Sequence, residues 1–293
     1  MERKIDWNAP WMTEEHLMFK ESTRKFFENE LSPHAERWAE QGIVDRDFWL
    51  KAGEAGLLGA SAPEEFGGVG ADRSFDALTA YEQLRAGDSG WGFAVHNICL
   101  HYLIAYANDE QRARWLPGLI SGEIVPAIAM TEPGTGSDLQ AVRTTADKDG
   151  DDYIINGSKI FITNGQQADI IIVVAKTDKD AGGKGISLIV VETADAEGFA
   201  RGRNLKKLGM KGQDTSELFF ENVRVPRANL LGEQEGQGFF HLMLQLGWER
   251  ASIGVAAIAS MDAVIEETVR YVQERKAFKQ RLMDMQNTRF KLA

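Results

Sequence analysis

Residues 130–138 read Met130-Thr131-Glu132-Pro133-Gly134-Thr135-Gly136-Ser137-Asp138, and this stretch bears most directly on the fold. Its two glycines, separated by one residue, allow backbone N–H groups to approach an anion closely, and Thr131 and Ser137 add hydroxyl groups. A tight turn between two strands explains the stretch equally well when it is read alone. The surrounding sequence therefore has to decide between a ligand-binding loop and an ordinary turn.

The same stretch does not fit a dinucleotide-binding loop of the Rossmann type. That fingerprint requires a third glycine, and Leu139 stands at this position. The fingerprint also opens a helix in a strand–helix–strand unit, whereas this stretch follows a strand in a strand-rich region. A Rossmann fold is therefore excluded.

The region from about Val125 to about Pro226 consists of short β-branched runs separated by turn residues, which is typical of strands. The clearest predicted strands are Ile170–Lys176, Ile186–Glu192 and Ser216–Val225. Two segments, Asp147–Gly150 and Asn156-Gly157, have the composition of hairpin turns. We therefore predict a central antiparallel β domain of roughly 100 residues, an ordinary domain size.

The chain before this region has helical periodicity. Thr13 is suited to cap a first helix, whose apolar residues recur at four- and seven-residue steps until Pro33 ends it. Further predicted helices cover residues 45–55, 74–86, 90–107 and 109–121, and the glycine-containing segment 63–72 is predicted to be a loop.

A helical pattern returns after the β region and runs from about Gln237 to about Arg275. It is rich in small residues, so we expect other helices to pack closely against it in a bundle. A shorter helix begins near Asp284, and residues 290–293 end without a glycine cap or a following proline, which predicts a truncated chain. The predicted domains are residues 1–123 (helical), 124–234 (β) and 235–293 (the first part of a helical bundle), an α+β multidomain class.

Composition excludes several classes of protein. Hydrophobic residues make up 43% and charged residues 26%, which fits an ordinary soluble globular protein. A net charge of -11 without a Lys/Arg stripe argues against a nucleic-acid partner. The longest aliphatic run, about Ile170–Ala175, is too short to span a membrane.

The single cysteine and the N-terminus indicate the compartment. Cys99 has apolar neighbours and no second cysteine, so a buried structural thiol and a reducing compartment are expected. Residues 1–6 lack an apolar segment behind a basic start, so no signal peptide is predicted. We expect a cytoplasmic protein of bacterial type or, as second choice, one of the mitochondrial matrix after processing.

A metal-dependent hydrolase is also disfavoured. The five histidines form no H-E-x-x-H arrangement and have no cysteine partners. His96 and His101 are five residues apart, which is not ligand spacing on one helix face. We expect the histidines to be structural and predict no metal site.

Four segments together resemble the acyl-CoA dehydrogenase family, most closely its long-chain type, and the resemblance covers essentially the whole chain. They are residues 130–138, the run Asn156–Gly165, the run Asp214–Pro226 and Arg275-Lys276-Ala277-Phe278, in the family's order. The resemblance implies a helical domain, a β domain and a four-helix bundle of which only the first part is present.

The resemblance also implies which residues bind FAD. The stretch Ile128–Ser137 resembles the wall of the flavin site, including Met130, Gly136 and Thr131, with Thr131 near the reactive edge of the ring system. Ser137 resembles a family residue that contacts acyl-CoA or the cofactor. Three residues match those that lie against the flavin on the face away from the substrate: Phe161, Ile162 and Thr163. Many family members have Trp at the position of Phe161. Taken alone, Phe161 is explained as well by a core aromatic residue on a strand.

Three later residues resemble positions that reach FAD bound mainly by a neighbouring subunit, namely Arg275, Phe278 and Gln286. This arrangement implies a homodimer or homotetramer. Taken alone, Arg275 is explained as well by a solvated charge at a helix end. Family members usually have glycine where Lys279 stands, so cofactor contact from this side differs from the usual pattern.

Glu249 is the predicted catalytic base. It lies in Leu246-Gly247-Trp248-Glu249-Arg250, where apolar neighbours raise the basicity of a carboxylate and Gly247 leaves room for a thin ligand. Without the resemblance, a surface glutamate is the more ordinary interpretation. Long-chain and isovaleryl types place their catalytic glutamate here, followed by Arg, and Gly247–Arg250 matches a substrate-contact segment that includes Trp248.

The resemblance thus implies dehydrogenation of an acyl-CoA thioester in fatty acid β-oxidation, with an electron-transferring flavoprotein as electron acceptor. Three alternatives stay open: an acyl-CoA oxidase, an isovaleryl-type dehydrogenase, and an inactive fragment that binds acyl-CoA or flavin. The last follows from the absent helices, which normally supply a backbone N–H that polarises the thioester carbonyl, part of the flavin site and part of the subunit interface. Losing one such donor costs on the order of 3 kcal/mol of barrier.

Overall fold

The computed structural model describes residues 8–87 and 90–293. The prediction made from residues 1–6 lies outside these ranges. The described residues before the sheet form six α-helices: α1 (Glu14–Phe26), α2 (Ala35–Gln41), α3 (Arg46–Glu54), α4 (Arg73–Arg85), α5 (Phe93–Tyr106) and α6 (Asp109–Ser121). Thr13 is the N-cap of α1 as predicted, while α2 was not predicted.

An aromatic cluster holds the N-terminal helices together. Phe48 and Trp49 of α3 pack against Trp91, at ring-centroid distances of 5.2 and 5.4 Å, and Trp38 of α2 packs on Phe48. All four side chains are buried. Aromatic side chains bury much apolar area each, so a few of them suffice as the core of this small helical unit.

The central sheet has eight strands: β1 (Pro126–Ala129), β2 (Thr145–Asp149), β3 (Asp152–Thr163), β4 (Ile170–Lys176), β5 (Ile186–Glu192), β6 (Phe199–Asn204), β7 (Thr215–Pro226) and β8 (Leu230–Leu231). Its order is β6-β7-β3-β2-β4-β5-β8, with β1 paired to β4. Most neighbours are antiparallel, but β1 and β4 are parallel, and β2 meets β4 in parallel at Thr145 and Lys176.

Strand β4 connects two apolar cores. Ile170, Ile172 and Val174 face the core shared with α5 and α6. The alternate residues of β4 face the core formed by the strands themselves. Because both faces are buried, the sequence of β4 is a continuous apolar run instead of an alternating one.

One predicted hairpin is confirmed and one is wrong. Strands β2 and β3 form a hairpin that closes at Asp149 and Asp152, as the Asp147–Gly150 segment predicted. Asn156-Gly157 instead lies inside β3, where the register with β7 shifts. A Cβ on Gly157 would come within 2.4 Å of Thr144 Oγ1, so this glycine permits a close approach between chain segments instead of a turn.

The C-terminal part begins with the 37-residue helix α7 (Gly238–Glu274). A hairpin of β9 (Lys276–Ala277) and β10 (Gln280–Arg281) follows, and then α8 (Gln286–Leu292). Phe278 and Lys279 in this hairpin have φ values of 51° and 64°, a conformation that glycine adopts more easily than lysine. Lys279 therefore adopts a left-handed backbone conformation that a glycine would adopt with less strain.

Helix α7 lies across α4 and contacts α5 and β5. Tyr81 of α4 donates a hydrogen bond to Asp262 at 2.6 Å, and Arg85 pairs with Glu266. Large apolar residues of α7 remain exposed on its other side, including Leu244, Ile253, Ile258, Met261 and Val264.

The predicted fold class is confirmed: a helical N-terminal part, a mostly antiparallel sheet and a C-terminal helix. The domain limits remain predictions. Cys99 is buried as expected, and burial raises the pKa of its thiol. In the described part of the chain, no helix combines the length and apolar character needed to cross a membrane.

Candidate active site

Glu249 lies in the first third of α7 and faces α5. Its Oε1 accepts a hydrogen bond of 3.0 Å from the hydroxyl group of Tyr102, a residue that is only 1% exposed. Burial raises the pKa of Glu249, opposed by this hydrogen bond and by the charge of Arg250. Glu249 is therefore a half-buried carboxylate with raised basicity, as a base for a weakly acidic C–H bond requires.

Trp248 fixes the helix segment beside Glu249. Its indole N–H donates to Asn97 Oδ1 at 3.1 Å, and the ring forms a T-shaped pair with His101 at a centroid distance of 6.0 Å. The guanidinium group of Arg73 lies 5.3 Å from the ring centroid, within range of a cation–π interaction. The beginning of α4, the middle of α5 and α7 thus meet at Trp248.

The other two predicted substrate contacts on this helix are open to solvent. Gly247 and Arg250 are exposed, and a Cβ on Gly247 would meet no atom within 4 Å. A ligand can therefore approach the helix backbone closely at Gly247. Arg250 is near enough to Glu249 to lower the pKa of its carboxyl group.

The loop after β1 is folded back on itself as a small turn. Glu132 and Thr135 exchange backbone hydrogen bonds of 2.9 and 3.1 Å. Gly134 and Gly136 are exposed, and a Cβ at either position would meet no atom within 4 Å. Ser137 is exposed on the same loop. The backbone at these glycines faces open space that a ligand can occupy.

A buried ion pair anchors this loop to the sheet. Lys159 of β3 donates to Glu132 Oε1 at 2.9 Å and to the backbone carbonyls of Met130 and Val174 at 3.0 and 2.7 Å. Burial lowers the pKa of Lys159 to about 8, although Glu132 opposes this shift. Burial alone would raise the pKa of Glu132, but Lys159 and hydrogen-bond donors bring it below its usual value.

The Glu132 carboxylate also holds the end of the loop. It accepts hydrogen bonds from the backbone N–H groups of Arg143 and Thr144 at 2.6 and 2.9 Å, and from the Thr144 hydroxyl at 2.6 Å. Both carboxylate oxygens are thus satisfied. No role of Lys159 was predicted; a lysine between Ser158 and Ile160 in the region predicted to be strand-rich was the available signal.

Phe161 stands out on β3 beside this loop. Its side chain is 63% exposed, its φ is 62°, and it lies where the register between β3 and β7 shifts. The N–H of Ile160 donates to the carbonyl of Thr131 at 2.9 Å, which fixes the strand next to the loop. Backbone conformations of this kind in residues other than glycine are concentrated at functional sites.

The remaining predicted cofactor residues of this region differ in exposure. Ile162 is buried in the core of the sheet, so its side chain does not face the surface where Phe161 lies. Thr163, Ile128 and Met130 are partly buried, and the last two pack against the core that also contains Tyr102. Helix α5 packs on β1 and on α7, and therefore connects the loop to Glu249.

Arg275, Phe278 and Gln286 lie at the other end of α7. With about 1.5 Å of rise per residue, Arg275 is roughly 39 Å along the helix from Glu249. All three residues are exposed, and Phe278 is 91% exposed. These residues therefore cannot complete the site around Glu249 in the same chain.

Comparisons with known proteins agree with this architecture. Three family models match: "Acyl-CoA dehydrogenase, N-terminal domain" over residues 13–123, "middle domain" over 127–223 and "C-terminal domain" over 236–293. The long-chain specific acyl-CoA dehydrogenase of Mus musculus is 48% identical over 282 residues, which are 95% of this chain and 65% of that protein.

This chain covers a larger share of two further relatives. The isovaleryl-CoA dehydrogenase of Oryza sativa subsp. japonica is 39% identical, over 94% of this chain and 68% of that protein. The crystal structure of an acyl-CoA dehydrogenase from Geobacillus kaustophilus superposes with a TM-score of 0.94 at 46% identity, covering 97% of this chain and 75% of that one. The chain spans 65% of the length of the long-chain relatives, and it belongs to the acyl-CoA dehydrogenase family.

Proposed function

We propose that the protein carries out flavin-dependent α,β-dehydrogenation of acyl-CoA thioesters, with Glu249 as the base that removes the α-proton. The observation that carries the proposal is the half-buried carboxylate of Glu249, held by Tyr102 and bordered by the open backbone at Gly247. The product is the trans-2-enoyl-CoA.

The environment of Glu249 suits proton removal from carbon. A proton α to a thioester is weakly acidic, so the base must be more basic than a solvated carboxylate and must still be ionised when substrate binds. Burial raises the pKa of Glu249, while Tyr102 and Arg250 favour the ionised form. These opposing influences produce a carboxylate that is charged yet poorly hydrated.

FAD is the cofactor of this family and, when bound, accepts the hydride from the β-carbon. The surface formed by Phe161 and the loop 131–137 fits such a group. Phe161 presents an exposed aromatic ring, and Gly136 leaves open space over the backbone, where a flat ring system can lie closely. Thr131 and Ser137 supply hydroxyl groups, and Ile128, Met130 and Thr163 complete the proposed wall. Ile162 can contribute only its backbone, because its side chain is buried in the core of the sheet.

On the substrate side we assign contacts to Ser137, Gly247, Trp248 and Arg250. Arg250 is an exposed cation next to the base, which suits it to orient an anionic substrate or the Glu249 carboxylate. A long-chain acyl group is the proposed substrate, because similarity to the long-chain relative, at 48%, exceeds that to the isovaleryl relative, at 39%.

The assembly we propose is a homodimer or homotetramer. Arg275, Phe278 and Gln286 are too far from Glu249 to serve its site, so they would contact the cofactor of a neighbouring subunit. Electrons would leave the reduced cofactor for an electron-transferring flavoprotein.

The test is the substitution Glu249→Gln in the purified protein. We expect the variant to keep FAD and to lose the bleaching of flavin absorbance by palmitoyl-CoA in the absence of oxygen. Glu267→Gln, an exposed residue on the same helix, is the matched control and should be reduced at the rate of the unmodified protein. Reduction of the Glu249→Gln variant at that rate would assign the base elsewhere. Isovaleryl-CoA, offered in parallel, tests the chain length.

A further inference from the structure

The hydroxyl group of Tyr102 is the nearest polar partner of the proposed base. Tyr102 belongs to the core between α5 and the sheet, so its side chain is held by packing on most sides. Its ring meets that of Tyr106 edge-on, at a centroid distance of 5.8 Å. A tyrosine fixed in this way places its O–H group at one point, 3.0 Å from Glu249 Oε1.

The two oxygens of Glu249 are therefore not equivalent. Oε1 accepts the Tyr102 hydrogen bond, whereas Oε2 has no hydrogen-bond partner among residues 8–87 and 90–293. Of the two, Oε2 is free to meet a substrate proton. The carboxylate cannot turn about its own axis without breaking the bond to Tyr102.

We propose that Tyr102 is a positioning residue for the base: its hydroxyl group holds Oε1 of Glu249 and leaves Oε2 to take the α-proton. The role of Oε2 in taking the α-proton rests on the proposed function. The hydrogen bond from Tyr102 to Oε1 affects the protonation of the carboxylate and can be tested without substrate or flavin.

The groups that face Glu249 are few. Tyr102 and Cys99 come from α5, and Arg250 comes from its own helix. Charged residues of α4 contact α7 elsewhere: Arg73 lies over the ring of Trp248, and Arg85 pairs with Glu266. Burial and the neighbouring Glu249 raise the pKa of Tyr102 and that of Cys99, so both remain neutral while Glu249 titrates. Tyr102 is thus a constant donor.

Removing the Tyr102 hydroxyl group should raise the pKa of Glu249. The O–H group bonds to the ionised carboxylate more strongly than to the neutral acid, so it lowers the pKa of Glu249. Tyr102→Phe keeps the ring and removes the hydroxyl oxygen. We therefore expect the titration midpoint of Glu249 to rise in this variant by about one pH unit, the size of an ordinary hydrogen bond to a charged group.

The first experiment is a 13C NMR titration of protein labelled at the glutamate side-chain carboxyl carbon. The signal that disappears in Glu249→Gln identifies Glu249. Its midpoint should move upward in Tyr102→Phe and stay in place in Tyr106→Phe, the same change one turn along the helix. The Tyr106 hydroxyl donates to His241 O instead, at 3.1 Å. An unchanged midpoint in folded Tyr102→Phe protein would overturn the inference.

The second experiment follows the rate of flavin reduction by palmitoyl-CoA against pH. The higher pKa should move the acid limb of the Tyr102→Phe profile about one unit upward, and loss of positioning should lower the rate on the plateau, with KM unchanged. A merely structural role would lower the rate equally at every pH without moving the acid limb, and that result would contradict the inference. Failure of the unmodified protein to be reduced would contradict the proposed function, while the NMR titration would still decide whether Tyr102 holds Glu249.

Discussion

The ammonium group of Lys159 lies 2.9 Å from Oε1 of Glu132, and both side chains are buried beneath the loop that follows β1. Lys159 also donates hydrogen bonds to two backbone carbonyls, while Glu132 accepts three hydrogen bonds from residues 143 and 144. The pair therefore connects the beginning of the loop, its end and strand β3. The loop and strand β3, which carry the sheet side of the proposed flavin surface, are joined by this connection.

Breaking the pair should be costly. We expect Lys159→Met to lower the free energy of unfolding by about 3–5 kcal/mol, because Glu132 is left as an unpaired buried charge. Urea denaturation of the FAD-free protein measures the change. The double variant Lys159→Met/Glu132→Gln, which has no unpaired charge, should recover part of the loss.

The matched control for this prediction is Lys179→Met. Lys179 pairs with Asp147 at 2.7 Å, but both side chains are exposed, so its loss should change the free energy of unfolding by less than about 1 kcal/mol. Equal effects of Lys159→Met and Lys179→Met would show that the buried pair does not anchor the loop.

The raised pKa of Glu249 predicts a pH-dependent stability cost. In the unfolded chain its pKa is that of an ordinary glutamate, so between that value and the higher folded pKa the folded protein binds more protons. Ionising Glu249 therefore reduces stability as pH rises through this window. Glu249→Gln should be more stable than the unmodified protein above the window, on the order of 0.5–1 kcal/mol, and should lose this advantage below it.

Denaturation at a series of pH values measures this difference. Glu267→Gln removes an exposed carboxylate from the same helix and is measured in parallel as the control. If Glu249→Gln were destabilising above the window, or if its effect did not vary with pH, the carboxylate would have to be better solvated than its position indicates.

Local patterns predicted the elements but could not predict the partners. The limits of β4 and β5 were predictable from short, mainly β-branched apolar runs, and those of α6 from its helical pattern. The error at Asn156-Gly157 arose because a glycine that avoids contact with Thr144, distant in sequence, has the same local signature as a turn. Such contacts depend on tertiary packing, which a local pattern does not contain.

The candidate site shows the same limit. Glu249, Trp248 and the loop at residues 130–138 were predictable because the family resemblance gave their positions. Tyr102 was not, because its 147-residue separation from Glu249 leaves no local pattern. Lys159 and Glu132 likewise pair across 27 residues, so neither residue's neighbours reveal that both are buried.

The exposed ring of Phe161 gives the most direct test of the cofactor surface. Because the side chain is 63% exposed, Phe161→Ala should change the free energy of unfolding of the FAD-free protein by less than about 0.5 kcal/mol. Loss of aromatic contact should nevertheless weaken FAD binding about tenfold, or roughly 1.4 kcal/mol. Phe219→Ala on the adjacent strand β7, also an exposed phenylalanine, is the control. Titration of the FAD-free proteins with FAD, followed by flavin fluorescence, compares the dissociation constants. If Phe161→Ala and Phe219→Ala bound FAD with the same dissociation constant, the flavin would not lie on Phe161. Any weakening shared by the two variants would then reflect a general loss of surface hydrophobicity.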